Sequence, residues 1–131
     1  MVLINMNSSY MSMEPMKTRH ASQLVKTYQI MIDRLKACGI NLEKHVLDNE
    51  CSAEFKEAIR VNQLTYALVS PDDHRRNIAE RAIQTAKSHI ILVLCGCDPN
   101  FPMHLWDLLL PQMEIQLNLL RQSRTVPKVL A

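Results

Sequence analysis

The sequence predicts a mixed α/β fold in which a hairpin opens the chain and helices connect the later strands. Two observations predict it: short apolar runs stand beside polar turns, and longer segments repeat apolar residues at helical spacing. The predicted order is strand, strand, helix, strand, helix, strand, helix, helix. Such an order is typical of a mixed sheet flanked by helices.

The first third of the chain contains a predicted hairpin and a helix. Residues 2–5 (VLIN) and 10–16 (YMSMEPM) flank the polar stretch 7–9, which favours a tight turn between two strands. A helix is predicted from about residue 21 to 38, with Gly39 as its C-terminal cap. Its apolar stripe consists of Leu24, Tyr28, Met31, Leu35 and Cys38.

The middle third alternates strands with a short helix. A strand is predicted over 44–48 (KHVLD), and Ser52 is placed to cap a helix that ends near Arg60. The next strand, over 64–70 (LTYALVS), stops at Pro71 because a proline restricts the residue before it and lacks a backbone donor.

The last third is predicted to be helical. A long helix follows the acidic turn 71–73, whose aspartates suit an N-cap, and it ends near Leu94 before Gly96. A final helical pattern over 103–123 contains Pro111, which either kinks the helix or splits it in two. The predicted core stripe of the long helix is Ala79, Ala82, Ile83, Ala86, Ile90 and Val93.

The composition excludes some classes of protein to which this chain could belong. The 131 residues fit a single domain, and a net charge of +2 is too small to indicate a nucleic-acid partner by itself. The four cysteines form no CxxC pair, which favours reduced thiols in an intracellular protein, nuclear or cytoplasmic, and no structural zinc site is expected. The apolar run 90–97 is too short to cross a membrane, so no membrane partner is expected.

Two acids are the candidate chemical groups. Asp48 ends a predicted strand, and ligands commonly lie at the ends of strands in α/β sheets. Glu80 lies on the long helix, on a face shared with Arg76, Gln84 and Lys87. Two carboxylates brought close together would bind Mg²⁺ or Mn²⁺, and paired ions of this kind support phosphoryl transfer. A basic patch near Glu80 would hold phosphates: His74, Arg75, Arg76, Arg81 and Lys87.

Other interpretations remain open. Asp48 also fits a turn or cap residue, and Glu80 also fits a solvated helix face. A further set of residues is interpreted as structural: Trp106 with Leu105, Leu108 and Leu109 as core, Cys95 and Cys97 as packing residues, and His45 as a surface or edge residue.

Three segments together resemble the catalytic core of copia-like retrotransposon integrases, over about residues 2–128. They are HVLDNECSAEFKEAI (45–59), LVSPDDHRRNIAERAIQTAKSHI (68–90) and FPMHLWDLLLPQMEIQLNLLRQS (101–123). The resemblance implies an RNase H-like fold and metal-dependent DNA integration by a triad of two aspartates and a glutamate. Asp48 matches the second acid of that triad and Glu80 the third. It also implies DNA as partner, no small-molecule substrate, and a homo-oligomer as a possible assembly.

The chain departs from the family pattern in several places. The first aspartate of the family lies on a strand before the hairpin, so the resemblance implies that the first strand and the first acid are missing here. The glycine usual after Asp-Asn is replaced by Glu50, and the family's zinc-binding N-terminal module and C-terminal DNA-binding domain have no counterpart. The expectation is a single, partial integrase core domain over 1–131 without catalytic activity, either poorly stable alone or paired with another chain through a vacant sheet edge. The alternative is a non-catalytic nucleic-acid-binding or protein-interaction α/β domain.

Overall fold

The computed structural model describes residues 1–40, 42–47, 51–69, 78–119 and 121–122. The strands in this part of the chain are β1 (Val2–Ile4), β2 (Met11–Met13), β3 (Lys44–Leu47) and β4 (Thr65–Leu68). The α-helices are α1 (Ala21–Ala37), α2 (Ala53–Val61), α3 (Ile78–Cys95) and α4 (Leu110–Leu119), with a 3₁₀ helix over Met103–Leu109. The order agrees with the mixed α/β prediction.

The contacts divide the chain into two compact units. One unit contains Met1 and Met16–Asn77, and therefore α1, β3, α2 and β4. The other contains Val2–Pro15 and Ile78–Ala131, and therefore the hairpin of β1 and β2 with α3, the 3₁₀ helix and α4. Each unit has a two-stranded sheet of its own.

The predicted hairpin is confirmed. β1 and β2 are antiparallel, with Leu3 opposite Ser12. The Asn5 side chain organises the turn, since its Oδ1 accepts hydrogen bonds from the backbone N–H groups of Asn7 (2.9 Å) and Ser8 (3.0 Å). A side chain that mimics a backbone turn in this way explains why the polar stretch separates the two apolar runs.

Helices α1 and α2 end in the same kind of motif. After α1, Gly39 N–H donates to Lys36 C=O and Ile40 N–H to Leu35 C=O, with Gly39 at φ +75°. After α2, Gln63 takes the corresponding place at φ +60°, and Leu64 N–H donates to Ile59 C=O. Both are Schellman motifs, which require a left-handed residue after the helix. Glycine adopts that conformation without strain, whereas glutamine does not.

The first unit pairs β3 and β4 in parallel, with α2 as the connecting helix. Ser52 caps α2 as predicted, because its Oγ accepts a hydrogen bond from Phe55 N–H at 3.3 Å. The core of this unit consists of Tyr28, Ile32, Phe55, Ile59 and Leu64. It therefore joins one face of α1 to the buried face of α2.

Tyr28 in this core is bonded to a histidine of β3. Its hydroxyl and His45 Nε2 lie 3.0 Å apart in a hydrogen bond whose donor depends on the imidazole tautomer. Burial raises the pKa of Tyr28 to about 12 and lowers the pKa of His45 below its ordinary value of 6.5. Both groups are therefore neutral at pH 7.

The second unit packs α3 and α4 against the hairpin. Its core contains Met11 and Met13 from β2, Ala82 and Ala86 from α3, and Leu110, Met113 and Leu117 from α4. The predicted stripe of α3 is confirmed at Ala82, Ala86, Ile90 and Val93, but Ala79 and Ile83 are exposed. The buried stripe is narrower than predicted because β1 and α4 pack only on the side of α3 that carries Ala82 and Ala86.

Pro111 splits the last helical pattern in two. A 3₁₀ helix runs to Leu109, and α4 begins at Leu110 with the proline in its first turn, where a missing N–H costs nothing. The core interpretation of Trp106, Leu105 and Leu108 is wrong: their exposures are 37%, 37% and 69%, and of the four only Leu109 packs on the core. A 3₁₀ helix has three residues per turn, so this pattern spreads over two faces instead of forming one stripe.

Two polar side chains of α4 are buried against β2. Glu114 accepts hydrogen bonds from Met13 N–H (2.6 Å) and the Tyr10 hydroxyl (2.6 Å), and more weakly from the Ser12 hydroxyl (3.4 Å). Asn118 accepts from Met11 N–H and donates to Met11 C=O, both at 2.8 Å. The side chains of α4 thus occupy the backbone hydrogen-bonding groups of β2 that a neighbouring strand would otherwise bind.

In the described ranges, no helix combines the length and apolarity needed to cross a membrane.

Exchanging glycine and non-glycine residues at the two helix ends tests the strain at Gln63. Gln63→Gly should raise the free energy of unfolding by roughly 0.5–1 kcal/mol, because the left-handed conformation penalises a side chain. Gly39→Ala should lower it by about 1 kcal/mol, since no atom lies near an added Cβ and only backbone strain changes. Urea unfolding measures both, with Gln63→Ala as the neutral control. Loss of stability in Gln63→Gly would contradict this assignment.

The Tyr28–His45 pair predicts an acid dependence of stability. The pKa of His45 is lower in the folded chain than in the unfolded one, so the unfolded chain binds more protons at mildly acidic pH. The stability from neutral His45 is present above pH 6.5 and is lost as the pH falls through the lower folded pKa. Urea midpoints measured from neutral to mildly acidic pH should therefore fall less in His45→Gln than in the wild type. Replacing the exposed His104 by glutamine is the matched control, and an unchanged pH profile in His45→Gln would refute the prediction.

Candidate functional site

Glu80 is exposed in the first turn of α3. A carboxylate in this position is favoured by the positive end of the helix dipole. Gln84 and Lys87 follow at helical spacing, and both are exposed, as is Arg81 beside them. The surface of α3 around Glu80 is therefore exposed and mostly polar, with the apolar Ile83 beside the charged residues.

The opposite side of α3 fixes which way this surface points. Ala82 and Ala86 are almost fully buried, and α3 packs through that side on β1 and α4. Small residues at an i, i+4 spacing allow close approach of neighbouring elements. The surface of α3 that carries Glu80, Arg81, Gln84 and Lys87 therefore faces away from the core of the second unit.

Asp48 lies outside the described residues, and so do His74, Arg75 and Arg76. The structure does describe β3, whose last residue, Leu47, precedes Asp48 in the chain. Val69 N–H donates to Leu47 C=O at 2.9 Å, so the parallel pairing of β3 and β4 extends to this end. The sequence therefore puts Asp48 directly after the carboxyl end of a strand in a parallel pair, where α/β folds often bind ligands.

The donor set proposed for a metal consists of two carboxylates. Oxygen ligands of this kind suit Mg²⁺ and Mn²⁺, and Glu80 presents its side chain on an exposed helix turn. Among the described residues, no group of three or more His, Cys, Asp or Glu side chains could hold a metal ion. Asp48 does not belong to that set, so its pairing with Glu80 stays a prediction.

Two further titratable groups near β3, His45 and Cys51, favour their neutral forms. Burial lowers the pKa of His45, so its imidazole is neutral at neutral pH. Burial also raises the pKa of the Cys51 thiol, an effect that nearby Lys56 partly opposes. Cys51 is accordingly a poor candidate for a nucleophile.

Three features of the structure were not predictable from the sequence patterns. His45 is half-buried and bonded to Tyr28, and only tertiary packing shows this, because the two residues are on different elements. His89 Nε2 on α3 is buried without a hydrogen-bond partner in the part of the chain that the structure describes. Cys95 is exposed rather than a packing residue.

Comparisons with known proteins give a structural likeness only. No protein-family model matches the chain, and no curated protein sequence matches it. Among solved structures, the chain is similar to the catalytic core domain of BIV integrase, with a TM-score of 0.68 and 16% sequence identity. The alignment covers 93% of this chain and 76% of that core domain. Over nearly its whole length, this chain has the fold of an integrase catalytic core.

Proposed function

We propose that this chain is an integrase-like domain of a retrotransposon, related to cores that join DNA ends by metal-dependent phosphoryl transfer. In this proposal the fold is RNase H-like, and Asp48 and Glu80 are the remaining catalytic acids and metal ligands. The observation that carries the proposal is the similarity to the BIV integrase core over 93% of the chain. The sequence resemblance to copia-like integrases supports it independently, since it rests on residue motifs and not on the fold.

The exposed surface of α3 supports DNA as the partner. Arg81 and Lys87 are exposed there, and three further basic residues, His74, Arg75 and Arg76, precede the helix in sequence. Phosphate groups are bound mainly by such cations, and a helix N-terminus adds partial positive charge. We therefore assign these five residues to contacts with the DNA backbone.

The two acids support a site for Mg²⁺ or Mn²⁺. Bound ions of this kind would activate the attacking oxygen and stabilise the leaving oxygen of phosphoryl transfer. The role of Asp48 and Glu80 would be to hold and orient the ions, with the basic residues holding phosphates beside them. Two carboxylates without the third acid of the family leave the ligand set incomplete, so the 131-residue chain alone is proposed to be inactive.

A second candidate function is a protein-interaction domain without catalysis. The exposed apolar side chains of the 3₁₀ helix and α4 favour it, because large apolar groups at the surface commonly mark interfaces. They include Met103 (60%), Leu108 (69%) and Leu119 (56%). Assays of DNA binding distinguish the two candidate functions, because a protein-interaction domain is expected to show no salt-dependent affinity for DNA.

Removing basic charges from the α3 region should weaken DNA binding in a salt-dependent way. For the triple variant Arg75→Gln, Arg76→Gln, Lys87→Gln, the slope of log affinity against log salt should decrease in magnitude by about 2–3, at roughly 0.9 per lost phosphate contact. Fluorescence anisotropy with a labelled duplex measures this. The matched control replaces Lys17, Arg19 and Lys26, three exposed basic residues of the first third of the chain. Equal slopes for both triple variants would argue against a DNA surface on α3.

Removing either acid should weaken binding of Mn²⁺. Asp48→Asn and Glu80→Gln are each expected to raise the Mn²⁺ dissociation constant at least about tenfold, because even residues supporting metal ligands contribute that much. Glu54→Gln, an exposed acid of α2, is the control and should have no effect. Isothermal titration calorimetry or Mn²⁺ EPR provides the measurement. Unchanged binding in both acid variants would exclude the shared site.

The 131-residue chain alone should show no strand transfer with Mn²⁺ and DNA ends, since two carboxylates cannot complete a three-acid ligand set. A gel assay for joined products measures this directly. Joined products that disappear in Glu80→Gln would contradict the predicted inactivity while supporting the integrase assignment. The metal and DNA measurements above remain informative in either case.

A further inference from the structure

Two cysteines flank a glycine at the C-terminal end of α3. The helix ends at Cys95, and Gly96 and Cys97 follow it directly. Both thiols are free, with Cys95 exposed and Cys97 half-buried. The proposed function uses neither thiol, and Glu80 lies at the other end of the helix, in its first turn. The pair is therefore a candidate for chemistry of its own.

The backbone stays coiled through this pair. Gly96 N–H donates to Leu92 C=O at 3.2 Å and to Val93 C=O at 3.1 Å. Cys97 N–H donates to Leu94 C=O at 3.2 Å, and the Cys97 thiol donates to Val93 C=O at 3.3 Å. These hydrogen bonds close the last turn of α3 and hold the Cys97 thiol against it.

In this conformation the two cysteines are close enough for a disulfide but do not face each other. Residues two apart in a helical turn have Cα atoms about 5.4 Å apart, within the range of roughly 4.4–6.8 Å that disulfides span. Side chains at this spacing nevertheless point to different sides of the turn. A disulfide between Cys95 and Cys97 therefore requires the backbone to rotate between them, at Gly96.

Gly96 permits this rotation. Its observed conformation does not require a glycine, since an added Cβ would meet only the carbonyl oxygens of Val93 and Leu92, at ordinary contact distances of 3.5 and 3.6 Å. Its φ is also outside the left-handed region, in contrast to Gly39 at +75°. Glycine reaches backbone conformations that other residues rarely adopt. A second conformation of this segment, and not the observed one, accounts for a glycine here.

We propose that Cys95 and Cys97 form a dithiol that a small-molecule disulfide, such as oxidised glutathione, converts into a disulfide bond. The exposed Cys95 reacts first: it gives its proton to water, its sulfur attacks one sulfur of oxidised glutathione, and the other sulfur leaves as a thiolate that takes up a proton. Cys97 then loses its proton and attacks the Cys95 sulfur, which releases the second glutathione as a thiol. The protein loses two electrons and two protons, and one glutathione disulfide becomes two thiols.

Oxidation in this scheme opens the last turn of α3. Rotation at Gly96 breaks the hydrogen bonds from Gly96 and Cys97 to the helix carbonyls. Val93 and Leu94 pack on the core of the second unit, so this core supports the reduced, coiled form. A disulfide that closes so short a ring is strained and easily reduced, which is typical of regulatory rather than structural disulfides. Bonds of this kind act as redox sensors where thiols are otherwise kept reduced.

Titration of the full chain with glutathione tests the dithiol. Cys38→Ser combined with Cys51→Ser leaves the pair as the only thiols, and peptide mapping of the wild type gives the same answer if this variant does not fold. Mass spectrometry should show a product lighter by two hydrogens, with the bond inside the peptide that contains residues 95–97. The reduced fraction should follow the square of the reduced glutathione concentration divided by that of oxidised glutathione, because two thiols are released. A product that keeps glutathione, a bond between chains, or no reaction would each overturn the proposal.

Single variants in the same background test the roles of the two thiols. Cys97→Ser should stop at the mixed disulfide of Cys95 with glutathione. Cys95→Ser should react with glutathione roughly tenfold more slowly, because the remaining thiol is half-buried and hydrogen-bonded to Val93 C=O. Equal rates for the two variants would refute the assigned order of reaction.

Gly96→Ala tests the link between the disulfide and the helix end. Alanine favours the coiled form over glycine, so the equilibrium constant for oxidation should fall about two- to fivefold. Ser88→Ala, at an exposed position of the same helix, is the control and should leave the constant unchanged. Hydrogen exchange gives a second measurement: the Gly96 and Cys97 amides should lose protection on oxidation, while the Ala86 amide keeps it. An unchanged constant in Gly96→Ala, or unchanged protection on oxidation, would contradict opening of the turn.

Discussion

The second unit depends on the hydrogen bonds between α4 and the backbone of β2. Glu114 and Asn118 lie one helical turn apart, which matches the distance between alternate residues of a strand well enough to reach Met13 and Met11 together. A buried carboxylate is costly unless donors surround it, and here Met13 N–H and the Tyr10 hydroxyl supply short bonds of 2.6 Å. The same bonds fix the register of α4 on the hairpin, so Met113 and Leu117 meet the methionines of β2 in the core.

These contacts also determine which surfaces of the hairpin are available. By satisfying β2 with side chains, α4 prevents strand addition at that edge, as covering elements do in many sheet proteins. It does so with polar atoms, and its apolar residues Ile115 and Leu119 are left exposed on another side of the helix. The side of α4 that faces β2 carries Glu114 and Asn118, and this orientation both closes the edge of β2 and leaves Ile115 and Leu119 exposed.

Local structure could be predicted wherever a few neighbouring residues determine it. The hairpin, the Ser52 cap, the Gly39 helix end and the split at Pro111 each follow from side chains within about one turn of the feature. The burial of Glu114 and Asn118 could not be predicted, because polar residues in the pattern LPQMEIQLNLL suggest a solvent-facing side. Their partners lie more than 100 residues earlier in the chain, at separations of 101 to 107. The exposure of Trp106 could not be predicted for a related reason, since apolar spacing identifies a buried stripe only after the helix type is known.

The candidate site shows the same division between local and distant information. Sequence spacing predicts Glu80 on the long helix with basic and polar neighbours, and in the structure Glu80 is exposed on α3 beside the exposed Arg81, Gln84 and Lys87. Whether Glu80 approaches Asp48 depends on contacts between segments far apart in the chain, and apolar periodicity contains no information about that.

The likeness to an integrase core at 16% identity has the same physical basis. A fold tolerates extensive substitution as long as apolar positions keep their pattern and volume, so it survives when most residues differ. A metal site tolerates almost none, because each ligand must be a carboxylate at its own position. Similarity at this identity therefore shows the fold of this chain and leaves catalysis as a separate question, because phosphoryl transfer depends on a small number of acids rather than on the sheet and helices that position them.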